Sequence, residues 1–242
     1  FKKLNPENRF VVIWKPKCHR EDKYSIFSPL RYSSLDSCKP LFDRIYKEGG
    51  IVFGLLYGDV NFKHQGVVDL RDIKPQLIRE RFIFYLDLKC RFGIVGQNGG
   101  NIPLHIFKKP FMVYDVSYPY TLNFCGPKTI IFFKEATYKN GNPVRIENLI
   151  NLKAEEISKI IAEKEIIFTP NSSEDIIDLY EELKTRMRNS SSDFKESEYQ
   201  MNLDWGKNIP SNIYNRFWFS QVSNCCYKKQ YFSLAPKRFI KK

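Results

Sequence analysis

The stretch CRFGIVGQNGGNIPLHIFKKP, residues 90–110, decides the fold class of this chain. Phe92–Val95 is a short apolar run that predicts a buried strand, and residues 96–100 form a turn of small residues. Residues 102–108 have a helical pattern, which Pro110 ends before the next apolar run. The order strand, glycine turn, helix and strand is typical of a parallel α/β fold.

The glycine turn is a candidate phosphate-binding site. Glycines permit positive φ and lack the Cβ atoms that would keep charged ligand oxygens away from the backbone. The first N–H groups of the following helix, together with its dipole, favour an anion. A tight turn in any parallel α/β protein is also rich in Gly and Asn, and this motif is neither G-x-G-x-x-G nor a P-loop. A phosphate site and a plain turn between strand and helix therefore both remain open from this segment.

Strand and helix patterns alternate over most of the chain. Strands are predicted at residues 9–14, 51–57, 67–70, 92–95, 111–116, 129–133 and 166–168, and helices at 35–47, 75–89, 102–108, 146–161 and 175–187. The alternation predicts an α/β, Rossmann-like domain with a mainly parallel sheet. Residues 58–66 are too few for a helical crossover. We therefore expect that the second and third strands are not parallel neighbours, or that one of them is not a strand.

The composition changes towards the carboxyl terminus. Residues 1–187 are predicted to form the Rossmann-like domain, with residues 171–174 as a capping box before its last helix. Residues 188–198, RNSSSDFKESE, are predicted to form a linker or mobile loop. Residues 199–242 are aromatic and basic, and we expect this extension to pack back onto the domain.

Charge and size narrow the function classes. The 242 residues are 43% hydrophobic, which supports one large domain with a real core. The net charge of +12 indicates polyanions, phosphorylated ligands or an anionic membrane surface as partners, or else a merely lysine-rich surface. No run of about 18 apolar residues and no signal-peptide pattern occurs. The chain begins at Phe1 without a methionine, which fits a piece of a longer protein.

Cysteine and histidine usage indicates the compartment and argues against a metal. The six cysteines form no C-x-x-C pair, and we interpret them as reduced thiols of a cytoplasmic protein. The three histidines are too few and too scattered to predict a histidine-based metal site.

Four segments together resemble a known family. They are LRYSSLDSCKPLFDRIYKEGGIVFGLLYGD (30–59), VVDL (67–70), YLDLKCRFGIVGQNGGNIPLHIFKKPFMVYDVSYP (85–119) and PKTIIFFKEATYKNGNPVRIENLIN (127–151). In order and spacing, over residues 10–182, they resemble the carboxyl-terminal half of a glycosyltransferase family from bacterial surface-polysaccharide clusters. The chain departs from the family where residues 55–58 lack the usual arginine and where Asp69-Leu70 replaces an acidic-aromatic pair.

The resemblance implies a glycosyltransferase of the two-Rossmann-domain (GT-B) type, or its donor-binding half. Such an enzyme transfers a sugar from a nucleotide-sugar to a surface-glycan or lipid-linked acceptor, with no cofactor beyond the donor substrate. The acceptor-binding amino-terminal domain would be short or absent here. The leaving nucleoside diphosphate is neutralised by Arg, Lys and helix amides, without a metal in most such folds. The expected location is cytoplasmic, with peripheral contact to an anionic membrane, and no specific nucleic acid is expected.

The candidate site residues follow from the turn and from this resemblance. The expected donor and phosphate contacts are Lys15, Lys17, Arg20, Arg31, Gly96, Gln97, Asn98, Gly99, Gly100 and Asn101. Glu174 is a candidate for the ribose hydroxyls, although its position also fits a helix cap. His19 is the candidate catalytic base. Each cation could equally be a solvated loop charge.

Three other functions stay open. A nucleic-acid or other polyanion binder would account for the net charge and for the aromatic residues among lysines near the carboxyl terminus. A sugar-nucleotide epimerase would share the architecture and the phosphate turn. A non-catalytic domain derived from a transferase would keep the fold without the reaction.

Overall fold

The structure, a computed structural model, describes residues 1–17, 28–58, 60–117, 129–144, 159, 163, 165–188 and 226–227. The strands are β1 (Phe10–Lys15), β2 (Gly50–Gly54), β3 (Val67–Asp69), β4 (Phe92–Val95), β5 (Phe111–Val116), β6 (Thr129–Phe133), β7 (Glu135–Tyr138), β8 (Ile166–Thr169) and β9 (Cys226–Tyr227). The helices are α1 (Lys39–Lys47), α2 (Gln76–Lys89), α3 (Ile102–Ile106) and α4 (Ser173–Arg188).

Seven of these strands form one parallel sheet in the order β3-β2-β1-β4-β5-β6-β9. β1 pairs in parallel with β2 on one side and with β4 on the other. The strand order therefore reverses between β1 and β4, as in doubly wound nucleotide-binding folds. This arrangement confirms the prediction of an α/β, Rossmann-like fold with a mainly parallel sheet.

Helices cover both faces of the sheet, which explains why its strands are apolar on both sides. Val12 and Trp14 of β1 belong to a core cluster with buried residues of α1 and α4. Val11 and Ile13 point to the opposite face and pack with Leu86 of α2 and with α3. The alternation of side chains along β1 thus separates the α1–α4 layer from the α2–α3 layer.

The connection between β2 and β3 corrects one expectation. β2 and β3 are parallel neighbours, with Val52 opposite Val67, although no helix joins them. β2 ends at Gly54, three residues before the predicted end, so residues 55–66 are available for the crossover. The Phe62 ring anchors this loop in the core, with its centroid 5.0 Å from that of Trp14. Because β2 is shorter than predicted, the connection to β3 is long enough for parallel pairing without a helix.

A small antiparallel sheet follows β6. β7 pairs with β8, with Tyr138 opposite Ile166, so the strand predicted at 166–168 exists but lies outside the main sheet. The chain turns after β7 at Gly141, which has a φ of +82° and whose N–H donates to the Tyr138 carbonyl at 2.8 Å. The helix predicted at 146–161 lies outside the described residues except for Lys159. Arg188 ends α4, and the rest of the predicted linker and most of the extension also lie outside the described residues.

The start of α4 differs from the predicted capping box. The Ser172 hydroxyl accepts the Asp175 N–H at 3.1 Å, and the Asp175 carboxylate accepts the Ser172 N–H at 3.1 Å. The reciprocal pair is therefore Ser172 with Asp175, one residue later than the predicted box, and the helix begins at Ser173. Among the helices that the structure describes, none has the length and apolarity needed to cross a bilayer.

Candidate functional site

The carboxyl ends of β1 and β4 lie side by side at the centre of the sheet. Lys15 is paired with Val95 in the parallel register, so the segments that follow the two strands start at the same edge. β1 continues towards α1 on one face, and β4 continues towards α3 on the other. Loops that leave in opposite directions open a crevice, and open α/β sheets bind ligands at this position. We call it the switch-point crevice.

The turn after β4 is fastened to the end of β1. The Gly96 N–H and the Asn98 side-chain amide both donate to the Lys15 carbonyl at 2.9 Å. The Asn98 side-chain oxygen accepts the Gly100 N–H at 2.6 Å. The turn is therefore held in place at the switch-point crevice before any ligand arrives.

The glycines of this turn provide space and not an unusual backbone conformation. The described glycines with positive φ are Gly49, Gly58 and Gly141, so the expectation of positive φ within the turn is wrong. A Cβ at Gly96 would lie 2.6 Å from the Lys17 backbone nitrogen, which explains why only glycine fits there. A Cβ at Gly99 would have Ile102 as its nearest neighbour, at 3.8 Å, so this position faces open space.

The helix after the turn is shorter than its sequence pattern indicated. A 3₁₀ turn (Gly99–Asn101) precedes α3, which ends at Ile106 although the pattern predicted a helix up to residue 108. A helix of five residues has a weak dipole, so we give it no role in anion binding. Open space at Gly99 is what the turn itself contributes.

Lys15 is buried and connects α2 to the glycine turn. Its ammonium lies 2.5 Å from the Asp87 carboxylate of α2 and donates to the Gly100 carbonyl at 3.1 Å. Burial lowers the pKa of Lys15, and the charge of Asp87 offsets part of that shift. The geometry favours a supporting role for Lys15, which joins α2 to the turn, over direct contact with a phosphate.

The segment that carries Arg31 and Tyr32 lies against the same edge of the sheet. The Ser33 N–H donates to the Lys17 carbonyl at 2.8 Å, which links this segment to the end of β1. The Ser34 N–H donates to the Asp115 carboxylate at 2.8 Å, which links it to β5. Arg31 is half-buried at this junction. The structure thus brings three predicted elements together: Lys17, Arg31 and the glycine turn.

Lys134 fixes the same segment from the end of β6. Its buried ammonium donates to the carbonyls of Leu30 and Tyr32, at 2.8 and 2.5 Å. Burial lowers the pKa of Lys134 to about 8, although the charge of Asp115 acts in the opposite direction. Two backbone carbonyls are held by one side chain, so the position of the Arg31–Tyr32 pair depends on Lys134.

Asp115 is the second buried charge of this region. Its carboxylate accepts N–H groups of Ser34 and Asn171, and its own N–H donates to the Asn171 side chain at 2.6 Å. Burial raises the pKa of Asp115, while the charge of Lys134 and the two N–H donors lower it. Its φ of +55° is rare for a residue other than glycine, and such strain is concentrated at functional sites.

Gln97 and Asn101, the two amide side chains at the ends of the turn, point into the protein. Gln97 is buried and accepts the Ser117 N–H at 2.8 Å. The Ser117 hydroxyl in turn donates to the Leu30 carbonyl. Asn101 is buried as well. Gln97 therefore supports the Arg31 segment, whereas Gly99 is the turn residue that faces the crevice.

The remaining predicted residues are His19, Arg20 and Glu174. His19 and Arg20 lie outside the described residues, so the catalytic base stays a prediction. Glu174 is exposed in the first turn of α4, where Ser172 and Asp175 form the cap. Its ribose contact also stays a prediction.

Sequence reasoning missed Asp115, Lys134 and Asn171. A signal was present, because Asp115 interrupts the apolar run FMVYDV and Lys134 directly follows TIIFF. A charge at the carboxyl end of a buried parallel strand must be paired, and that end is also where ligands bind. The loop position of Asn171 offers no comparable signal.

A cleft of about 410 Å³ lies at the opposite edge of the sheet, beside the amino ends of β1 and β4. It is lined by Phe10, Glu48, Arg91, Phe92, Tyr180, Lys184, Met187 and Arg188. Glu48 is already held there by Lys184 and Tyr180, at 2.7 and 2.6 Å. We place the candidate site at the switch-point crevice because parallel sheets bind ligands at carboxyl ends.

The site does not fit a dinucleotide oxidoreductase. Pro16 and Lys17 follow β1, where the dinucleotide fold has its first glycine. Leu55 and Leu56 follow β2, where that fold carries the ribose-binding carboxylate. Within the described residues, no group of three or more His, Cys, Asp or Glu side chains is placed to hold a metal ion.

No protein-family model, no curated protein and no solved structure matches this chain. The resemblance to a glycosyltransferase family is therefore an expectation from the sequence. The fold and the geometry of the switch-point crevice are what support a functional proposal.

Proposed function

We propose that this chain is the donor-binding half of a glycosyltransferase and binds a nucleoside-diphosphate sugar in the switch-point crevice. The observation that carries the proposal is the meeting of the glycine turn with Lys17 and Arg31 where the strand order reverses. A diphosphate needs open space beside backbone amides together with nearby cations. Gly99 leaves that space, and the two cations are on the segments that border it.

The reaction places specific demands on this site. The bond between the anomeric carbon of the sugar and the diphosphate oxygen breaks, and the diphosphate leaves with added negative charge. An acceptor hydroxyl forms the new bond to the anomeric carbon and gives its proton to a base. Arg31 and Lys17 would stabilise the leaving diphosphate, and His19 is the candidate for the base.

The rigid surroundings of Arg31 suit this role. Electrostatic stabilisation is efficient when the charged group is positioned before the reaction, since no reorganisation is then required. Lys134 and Asp115 hold the backbone on both sides of Arg31 through hydrogen bonds to Leu30, Tyr32 and Ser34. Buried charges are costly, and their use for holding one loop supports a functional purpose for that loop.

A thermal-shift series tests donor binding. Uridine, cytidine, guanosine and adenosine diphosphates and their sugar conjugates are added separately to the full chain. A ligand that binds only the folded state raises the apparent stability with the logarithm of its concentration. We expect one base to give a clear shift and the matching nucleoside to give a smaller one.

The variant Gly99→Val locates the site. Its side chain would occupy the open space of the crevice, so binding should be lost while the unfolding temperature without ligand stays close to that of wild type. The matched control is Ile106→Ala, at the exposed end of α3. Unchanged diphosphate binding by Gly99→Val would remove the turn from the site.

Salt dependence separates this proposal from polyanion binding. A protein that neutralises six to ten phosphates of nucleic acid loses about three to five orders of magnitude in affinity between 50 and 200 mM salt. A diphosphate contacted by two or three cations should show a much shallower dependence. Tight oligonucleotide binding with the steep slope, and no response to nucleotides, would replace the transferase proposal with the polyanion one.

A further inference from the structure

Helix α2 exposes an unusual number of large apolar side chains. Five of the nine exposed large apolar residues in the described part of the chain are on this helix, so the exposure is concentrated there. They are Leu77, Ile78, Phe84, Tyr85 and Leu88. By contrast, the outward sides of α1 and α4 carry charged residues such as Lys47 and Asp178.

Three of these side chains lie along one side of α2. Leu77, Phe84 and Leu88 are separated by seven and four residues, which places them on the same side of a helix. Leu86 is buried on the other side, against the sheet. The Phe84 ring packs edge-on against Phe107, which follows α3, with centroids 5.0 Å apart.

Helix α3 extends this surface. Ile106, the last residue of α3, is 64% exposed and precedes Phe107 in the chain. We call the combined surface of Leu77, Phe84, Leu88 and Ile106 the α2–α3 face. Its apolar side chains come from two helices that are both held against the same side of the sheet.

The α2–α3 face is also basic. Arg81 lies next to Leu88 in angular position around α2, and Lys89 ends that helix. Lys108 lies two residues beyond the end of α3. All three cations are exposed, and Glu80 is the one exposed carboxylate among the described residues 76–108. The surface thus joins apolar side chains with a positive charge.

The charges indicate what covers this face. A second copy of the chain would place the same three cations against one another. The carboxyl-terminal residues 199–242 carry eight Lys and Arg but a single acidic residue, Asp204, so they match the face equally poorly. A complementary partner must be apolar and anionic at once.

We propose that the α2–α3 face binds the surface of an anionic lipid bilayer. Apolar side chains of such a face enter the boundary between headgroups and acyl chains, while cations contact the anionic headgroups. The chain would thereby associate peripherally with a membrane, with α2 lying in the plane of the interface. This inference does not depend on the proposed donor site, because no residue of the switch-point crevice contributes to the face.

Vesicle co-sedimentation of the full chain tests the proposal. One set of vesicles is pure phosphatidylcholine, and the other contains equal amounts of phosphatidylcholine and phosphatidylglycerol. We expect strong binding to the anionic vesicles only. Each of Arg81→Gln and Lys89→Gln should weaken that binding about fivefold, as expected for one cation near an anionic surface. The matched control, Lys47→Gln on α1, should leave binding unchanged.

The apolar contribution needs its own variants. Leu77→Gln/Leu88→Gln should weaken binding by at least about tenfold, because two side chains no longer leave water. Ile167→Thr is the control, since Ile167 is exposed on β8, away from the face. Unfolding temperatures and circular dichroism verify that each variant is folded.

Three results would overturn the proposal. The first is equal sedimentation of wild type with neutral and anionic vesicles. The second is undiminished binding by the Leu77→Gln/Leu88→Gln variant. The third is a wild-type dimer in analytical ultracentrifugation that this double variant converts to a monomer, which would assign the face to a second copy. Loss of nucleotide binding by Gly99→Val has no bearing on these results, so the two proposals are tested separately.

Discussion

Lys15 and Asp87 form an ion pair inside the domain, with the lysine Nζ 2.5 Å from the carboxylate Oδ1. The two side chains are 4% and 1% exposed, so both charges are shielded from water. Lys15 is the last residue of β1, and Asp87 is in the last turn of α2. The pair therefore connects the end of the central strand, which borders the switch-point crevice, to a helix that packs on the sheet.

Removal of one partner should be strongly destabilising. We expect Asp87→Leu to lower the free energy of unfolding by about 3–5 kcal/mol, because the Lys15 ammonium then stays buried without its counter-charge. The double variant Lys15→Met/Asp87→Leu should recover most of that loss. Urea denaturation measures both. The exposed pair Lys39–Asp36 is the control, and Lys39→Met should change the stability by less than about 1 kcal/mol. If Asp87→Leu and Lys39→Met changed the unfolding free energy by equal amounts, the result would contradict a buried Lys15–Asp87 ion pair.

The turn glycines should differ in their tolerance of a side chain. In Gly96→Ala the new Cβ would lie 2.4 Å from the Ser33 hydroxyl and 2.6 Å from the Lys17 backbone nitrogen. We expect a loss of about 1–3 kcal/mol in unfolding free energy, since backbone must shift. Gly99→Ala should stay within about 0.5 kcal/mol of wild type, because that position is open. Chemical denaturation measures the unfolding free energy of both variants. A similar loss for Gly96→Ala and Gly99→Ala would contradict the packing of the turn.

Six of the seven strands of the main sheet were predicted from the sequence, because burial on both faces makes such strands short apolar runs. The two-residue strand β9 was not predicted. Phe92–Val95, Phe111–Val116 and Thr129–Phe133 have the bounds that the apolar runs indicate. The sequence also predicted that the segment after β1 meets the glycine turn after β4. The reason is that the carboxyl ends of parallel strands share one edge of the sheet. The register of β1 with β4 confirms that these segments start at the same edge of the sheet, and ligand binding there stays a prediction.

Side-chain roles could not be predicted in the same way. The local sequence around a lysine at the end of a strand is the same whether the lysine contacts a ligand or a buried carboxylate such as Asp87. That distinction depends on a partner 72 positions away. Likewise, the positions of Asp115 and Lys134 are explained by the backbone of residues 30–34, a long-range contact that no local pattern encodes.

The ionisation of Lys134 should contribute to the pH dependence of the unfolding free energy. Its pKa falls from 10.5 to about 8 on folding, so the unfolded chain binds more protons than the folded one between these values. The contribution of Lys134 to the unfolding free energy should therefore increase as the pH rises through this window, by up to about 3 kcal/mol in total.

Other buried groups act in the opposite direction, so a difference measurement is needed. Burial raises the pKa of Cys38 and of Tyr114, and such acids lose stabilisation as the pH rises above their unfolded pKa values. The measurement is the unfolding free energy of wild type minus that of Lys134→Met across the window. A difference that stays flat or falls with rising pH would contradict a buried, charged Lys134.

Arg31 should distinguish a diphosphate from a nucleoside. If its guanidinium contacts the diphosphate, Arg31→Ala should weaken binding of the preferred nucleoside diphosphate about ten- to a hundredfold, the range expected for a hydrogen bond to a charged group. Binding of the corresponding nucleoside should change little, because it lacks the phosphates. Isothermal calorimetry measures both affinities.

The control for Arg31→Ala is Lys47→Ala, which removes an exposed cation in the last turn of α1. This variant should bind both ligands as wild type does, so that a general loss of positive charge is separated from a specific contact. An unchanged unfolding temperature of Arg31→Ala would show that the loop held by Lys134 and Asp115 is intact. Equal losses for the diphosphate and the nucleoside would place Arg31 away from the phosphates, and the donor would then have to be bound by Lys17 and the turn without it.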